Sequence, residues 1–447
     1  MYVIQVPDTD PRLQKRYRKL VQQHLSTARG IAAGLRVLPQ TTTAMAAALA
    51  AYRFYQNERA PLVKVAEPLR AAATLQARAA CDSWALVVHD WSPLHYTEHE
   101  SKQDRIVLYN KHDFGYLWQT ALLISDRDGA PLAPLYLGVE AADGLHSTRR
   151  ATPLPRRPEL DELNRTLSHI EQQELSHPCV HLIDRQGESL LHLRRCVRCG
   201  RRFLIRSNDV RRVEHGGQSR LLAEVETALA GQFRFSRAVE FKGRTARQYV
   251  CETSVTLRQP AHPQRRRAGR VVSRQVRGRA LTLRLVLAEV RDATGRVLAT
   301  WRLWTNLPET VSATTVAQWY YWRWRIESFF KLLKRAGQHV EQWQQVSAEA
   351  IAKRLAVAAQ ACVIVWALLR SREPPVDELR AFLIRQSGRL MRRGVKYTAP
   401  ALFAGLWNLL AIIDALDRYS VAELRQMGNL VQQMIGLAAE SEMSKNL

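Results

Sequence analysis

The sequence predicts an α/β protein with a mixed sheet flanked by helices, a β-rich insertion, and helical regions at both ends. Three observations lead there. Short apolar runs at residues 84–89 (WALVVH) and 179–183 (CVHLI) each stop at an acid, with a helical stretch between them, as in an α/β core. Strict apolar–polar alternation over residues 249–257 and 281–287 marks half-buried strands. Helical periodicity prevails before residue 70 and after Ser312. At about 150 residues per domain the 447-residue chain makes about three units. The expected bounds are a helical domain at 1–70, a core at 71–373 with an insertion at about 208–308, and a helical domain at 374–447.

Taken in order, Asp10-Pro11 is an N-cap and first-turn pair, and Leu13, Tyr17, Leu20 and His24 recur behind it at helical spacing. A second helix is expected from Thr43 to Tyr55 with Met45, Leu49 and Tyr52 on one face. Asp126-Arg127-Asp128-Gly129 joins two apolar runs as a hairpin turn. Residues 158–174 read as a helix, and residues 203–205 as a strand ending at Arg206. The connection between the alternating strands carries Arg265, Arg266, Arg267, Arg270, Arg274, Arg277 and Arg279, a basic loop suited to phosphate. Pro374-Pro375 stops the longest apolar helix. Ser420 and Glu423 form a capping box, behind which Leu424, Met427, Val431, Met434 and Ile435 share one face.

Lys and Arg number 66 against 41 Asp and Glu, a net charge of +25 that calls for a polyanionic partner. A membrane is not the expected one: the apolar run at residues 355–369 contains Gln360 and falls short of the roughly 20 residues a bilayer requires. No basic-then-apolar leader opens the chain, and six cysteines are too few for a disulfide scaffold, so a reducing cytoplasmic setting is expected. Cys196-Val197-Arg198-Cys199 is half of a zinc-ribbon pattern without its second half. His95 and His99 lack a third ligand at a fitting spacing.

The most informative segment is residues 320–334 (YYWRWRIESFFKLLK). Wound at about 100° per residue, Trp322, Ile326, Phe329 and Leu333 fall on one apolar stripe. Tyr320, Arg323, Glu327 and Lys334 fall on another. Alone, the second stripe describes an exposed helix with an Arg323–Glu327 pair worth about 0.3–0.5 kcal/mol. Asp90 and Asp184 at strand ends change its meaning. Three carboxylates converging there would repel one another unless divalent cations neutralised them, and hard oxygen ligands select Mg²⁺ or Mn²⁺.

Tyr320-x2-Arg323-x3-Glu327-x6-Lys334 resembles the Y-R-E-K signature of bacterial insertion-sequence transposases of the DDE class, in the group of the transposon-five transposase. Asp90 after WALVVH and Asp184 in LIDRQG resemble the contexts of that family's first two acids, and residues 50–58 (AAYRFYQNE) resemble its N-terminal DNA-binding domain. The resemblance implies an RNase H-like core with Asp90, Asp184 and Glu327 as catalytic metal ligands. It implies cut-and-paste chemistry with Mg²⁺ (Mn²⁺ substituting), through a hairpin on the transposon end, on double-stranded terminal repeats and target DNA. A homodimer in the synaptic complex, joined through residues 374–447, follows from the same source, as does a bacterial, nucleoid-associated location. Tyr320, Arg323, Lys334 and Arg206 would hold DNA phosphates, and Trp301, with Trp304 as a rival, would stack on a flipped base. Asn208 stands where some relatives carry a second cation, and His89-Asp90-Trp91-Ser92 lacks the expected hydroxyl-rich context. The alternative is a catalytically silent, transposase-derived regulator that binds DNA without using the acids.

Overall fold

The computed structural model describes residues 5–25, 41–261, 264–267, 270–273, 275–335, 337–391 and 394–434. The chain opens with α1 (Pro11–Leu25), α2 (Thr41–Gln56), α3 (Leu62–Val65) and α4 (Glu67–Ala80). Asp10 starts α1 as expected, its Oδ1 accepting from the amides of Arg12 and Leu13 at 3.0 and 3.1 Å. Tyr17, Leu20, Val21 and His24 form its buried face. In α2 the buried residues are Ala51, Phe54 and Tyr55, while Leu49 and Tyr52 are exposed. The face that carries Leu49 and Tyr52 is thus not the buried one; the Met45 side chain lies outside the described residues.

The core follows as β1 (Ala85–His95), β2 (Ile106–Val107), β3 (Phe114–Ser125), β4 (Pro131–Ala141), β5 (Gly144–Ser147), β6 (Arg150–Leu154), α5 (Glu159–Glu171), β7 (Cys179–Ile183), α6 (Leu190–Arg198) and β8 (Arg202–Ser207). The β3–β4 hairpin turns at the expected Asp126–Gly129, with Gly129 at a φ of 68°. The insertion supplies β9 (Arg212–His215), β10 (Gln218–Leu221), α7 (Leu222–Ala228), β11 (Arg234–Phe241), β12 (Arg244–Leu257), β13 (Gln264–Arg267), β14 (Arg270–Ser273), β15 (Leu281–Arg291) and β16 (Val297–Thr305). The basic connection is a separate two-stranded ribbon, β13–β14; its residue Arg274 lies outside the described residues.

Among the described residues the other strands form one 14-stranded mixed sheet, in the order β10-β9-β12-β15-β16-β8-β7-β1-β3-β4-β5-β6, with β11 on β12 and β2 on β3. The insertion strands thus continue the core sheet instead of stacking as a second layer. β1–β7 and β7–β8 are parallel; β1–β3 and β16–β8 are antiparallel.

Alternation sorts the side chains into two buried clusters, one on each face. Leu182, Leu204, Val286 and Ala288 belong to one, while Ile183, Phe203, Ile205, Leu285 and Leu287 belong to the other. Leu163 and Leu167 of α5 and Leu190 and Leu193 of α6 cover the second face. The first face is covered by helices from the last third of the chain: α8 (Ala313–Trp322), α9 (Arg325–Lys334) and α10 (Ala348–Arg370). By length and composition α10 is apolar enough to cross a membrane, but 83% of its apolar window is buried inside the protein. It is the central helix of this core. α11 (Pro374–Ser387), α12 (Ala399–Leu416) and α13 (Val421–Met434) complete the chain. The Ser420–Glu423 capping box forms, but Met427, Leu430 and Val431 of α13 are exposed; Ile435 lies outside the described residues.

The N-terminal helices are locked to this core through polar contacts. Gln338 Nε2 donates to the His24 carbonyl at 2.9 Å, and Lys353 Nζ donates to the Asn57 carbonyl at 3.1 Å. Between them lies Arg354, 2% exposed, stacked 3.9 Å over the Trp343 ring and donating to Gln345 Oε1 at 2.6 Å. Burial pulls its pKa down to about 9, against the pull of the Tyr55 and Tyr96 phenols.

Candidate active site

β1 and β7 run side by side with Val88 opposite Leu182. Two residues further on each, with the same pleat parity, stand Asp90 and Asp184. Val88 and Leu182 face the cluster under α8–α10, so both acids project toward those helices. Asp184 is the residue after its strand, and its Oδ1 accepts from Gln186 N at 2.9 Å, capping a single 3₁₀ turn. Asp90 does not end its strand. The apolar run stops there, but β1 continues to His95 because β3 offers it backbone partners throughout, Asp90 facing Thr120. What ends at Val88 is the pairing with β7.

Residues 320–334 are not one helix. α8 stops at Trp322 and α9 begins at Arg325, joined by a tightened turn in which Arg323 N bonds Tyr320 O at 3.1 Å and Ile326 N bonds Arg323 O at 3.2 Å. The expected apolar stripe survives the break: Trp322, Ile326, Phe329 and Leu333 are all buried. The polar stripe changes its partners. Arg323 does not pair with Glu327; its Nη1 donates to Asp90 Oδ2 at 3.0 Å, with the two side chains 9% and 13% exposed. Trp91 N donates to the other Asp90 oxygen at 2.9 Å.

Burial pushes the Asp90 pKa up to about 6; Arg323 opposes the rise, and the negative charges of Glu327 and Asp184 add to it. Asp90 therefore feels the charges of both other acids. Glu327, half-buried in the first turn of α9, makes no hydrogen bond or ion pair among the described residues. Tyr320 is 2% exposed; burial raises its phenol, while Arg323 and Arg206 oppose and Asp184 reinforces. That coupling brings Arg206, on β8, into the same neighbourhood. Lys334 donates to the carbonyl of Pro93 and pairs with Glu341 at 3.3 Å, so α9 is tied to β1 at its far end as well.

Trp301 is 4% exposed, its ring 5.8 Å from Tyr320, and Trp304 is fully buried. In this conformation both indoles are core side chains. The tryptophan presented to solvent is Trp324, 52% exposed, at the break between the two helices and 5.5 Å from the Arg323 guanidinium. A continuous helix hides this residue among its neighbours; only the break singles it out. Asn208 is held by Glu188, which accepts from its amide N at 2.8 Å.

Another trio escaped the sequence. Asp104, Asp143 and His146 bring donor atoms within 4.8 Å of one another. Among the described residues this is the one trio gathered so closely; Asp90, Asp184 and Glu327 are more widely spread. Its donors are already engaged: Asp104 accepts from Tyr116 and from Ala348 N at the start of α10, and His146 Nε2 meets Asp143 at 3.0 Å. Through Asp104 the trio also ties the start of α10 to Tyr116 of β3. The Cys196 thiol meets His192 at 3.5 Å while Cys199 is exposed, and no four-ligand zinc set forms among the described residues.

Asp90, Asp184 and Glu327 offer hard carboxylate oxygens, the donor type a divalent cation selects. No family model and no curated protein matches this sequence. Among solved structures, a piggyBac transposase synaptic complex with hairpin DNA aligns at a TM-score of 0.31 and 8% identity. The alignment covers 82% of this chain but only 62% of that one. A likeness this slight does not establish a shared fold.

Proposed function

We propose that this chain is a cut-and-paste DNA transposase of the DDE class, with Asp90, Asp184 and Glu327 as its metal-binding acids. The observation that carries the reading is the Arg323–Asp90 bond, which ties the turn bearing Glu327 to β1 across 233 residues of sequence, with Glu327 and Asp184 both adding to the rise of the Asp90 pKa. The run β4-β3-β1-β7-β8, antiparallel on one side of β1 and parallel on the other, supports an RNase H-like core.

Mg²⁺ or Mn²⁺ bound by these acids would supply Lewis-acid activation of a DNA phosphodiester and of the attacking water or 3′-hydroxyl. The chain's own residues position the substrate. Arg323 is a fork-shaped donor suited to a phosphate once Asp90 engages a cation instead, and Arg206, Tyr320 and Lys334 would join it in holding DNA phosphates, Tyr320 and Lys334 only after leaving their present buried or paired positions. Strand transfer through a hairpin intermediate, and action as a homodimer on paired ends, belong to the same reading, as does the DNA partner that the charge of +25 favours. Glu327→Gln is expected to abolish Mg²⁺-dependent nicking of a plasmid carrying the coding region with its native flanks, while DNA binding stays within a few-fold. Equal nicking by the variant removes Glu327 from the chemistry. No Mg²⁺-dependent nick by the native protein, with binding retained, selects the silent regulator.

A further inference from the structure

The second face of the sheet, across from the acids, carries its own concentration of charge. The C-terminal half of α5, the last turn of α6 and the start of β6 enclose a cavity of about 420 Å³ lined by Arg149, Arg150, Arg165 and Arg195, with Ser168 and His169. Arg149 is paired with Glu162. The side chains of Arg150, Arg165 and Arg195 make no hydrogen bond or ion pair among the described residues; Glu162, already paired with Arg149, is the acid whose charge Arg165 also feels, so cations outnumber acids around the cavity. His169 Nε2 is buried there without a partner. Burial, with Arg149 and Arg70 nearby, lowers the His169 pKa to about 4, so its ring adds no charge at neutral pH.

Crowding like charges costs stability unless an anion meets them. Guanidinium forks match phosphate oxygens in geometry as well as in charge. Arg150 and Arg165 are exposed at the rim, which leaves the cavity open to a polymer passing over it. The cavity lies along α5 from the end that is nearer Asp184. Glu159, at the head of α5, feels the Asp184 charge; His169 lies ten residues further along, about 15 Å at 1.5 Å per residue. At about 3.4 Å per base pair that is roughly four to five base pairs.

We propose that this cavity binds a backbone phosphate of a stretch of DNA other than the one lying over Asp90 and Asp184. It gives the chain a second phosphate foothold, on the α5–α6 side. The proposal takes from the function above only the identity of the polyanion, not the acid-centred chemistry.

The test is the salt dependence of binding of the full chain to a generic 40-base-pair duplex in EDTA, where no metal-dependent chemistry intervenes. Arg165→Gln with Arg195→Gln is expected to lower the slope of log K against log salt by about 0.9 for each phosphate the variant no longer neutralises, and Arg165→Lys with Arg195→Lys to restore most of it. Arg372→Gln with Arg389→Gln, an equal change of charge at exposed sites elsewhere, is the control. A slope for the cavity variant no different from the control overturns the proposal. So does a cavity that raises the melting temperature with inorganic phosphate alone, in an Arg165- and Arg195-dependent way, while DNA binding is unchanged: that is a free-anion site. Because Glu327→Gln leaves this measurement untouched, failure here and failure of the nuclease reading are separate results.

Discussion

Arg323 and Asp90, 233 residues apart in sequence, are joined by a 3.0 Å charge-assisted hydrogen bond that fastens the α8–α9 turn to the middle of β1. The bond is largely shielded from water, and it holds the one strongly perturbed acid of the site to the one arginine able to offset it. A charge-assisted bond of this kind contributes about 1.5–3 kcal/mol. Arg323→Ala is expected to lower the unfolding free energy by that amount in metal-free buffer, read from urea denaturation. A loss below about 0.5 kcal/mol would place the bond among the weak surface pairs.

Divalent cations should stabilise the native protein by offsetting the charge burial that raises Asp90 and the smaller repulsion that Glu327 and Asp184 add to it. At a Mg²⁺ concentration about 100-fold above its dissociation constant, the gain is about 2.7 kcal/mol. Thermal melts with and without Mg²⁺ check this. Asp184→Asn should lose most of the shift, and a variant that keeps it all would show that the ion binds elsewhere.

The apolar stripe of α9 holds the site against the sheet. Phe329 packs against Trp118, Phe330 and Trp366 at ring separations of 5.6, 6.4 and 5.4 Å. Phe329→Ala should cost about 3–5 kcal/mol of stability by leaving a cavity in that aromatic group. Chemical denaturation measures it.

Acid should weaken the fold through its buried histidines. Burial lowers the His24 pKa to about 3, below the ordinary 6.5. The unfolded chain therefore takes up this proton first as pH falls. The contribution of His24 is whole above pH 6.5 and declines at about 1.4 kcal/mol per pH unit toward pH 3. His192, lowered to about 4, acts in the same sense over a narrower window. Stability measured between pH 7 and 4.5 should fall less steeply in His24→Gln than in the native protein.

The apolar face of α13 has no cover among the described residues: Met427, Leu430 and Val431 are each about half exposed. If it mediates the proposed homodimer, Leu430→Asp with Val431→Asp should shift the protein to monomer in sedimentation while its melting temperature stays within a degree or two. An unchanged dimer would move the interface elsewhere.

Where periodicity and local capping decide, the sequence is legible. The strand at residues 179–183, the Asp126–Gly129 hairpin, the end of α10 ahead of Pro374 and the Ser420 cap stand as their residue types require. The stripe of Trp322, Ile326, Phe329 and Leu333 is readable too, because core packing follows the 3.6-residue period even across a break. The break itself is not, since tertiary demand sets it: Arg323 must turn away from Glu327 to reach Asp90, a residue no helical wheel contains. Which face of α2 is buried is not readable for a similar reason, its Ala-rich sequence leaving two stripes for the core to choose between. The strand pairing that levels Asp90 with Asp184, and the convergence of arginines from α5, α6 and β6, depend on chain path and leave no local signal.

The burial of Arg354 makes the N-terminal helices hard to excise. Tyr55 of α2 forms part of the lining that lets a full positive charge sit in the interior, and the Asn57 and His24 carbonyls anchor Lys353 and Gln338 on either side. Cutting the chain ahead of α3 would flood that chamber with water and strand three polar side chains on a surface shaped for packing. The leading segment thus behaves as a keystone, and a shortened protein should emerge insoluble before it emerges inactive.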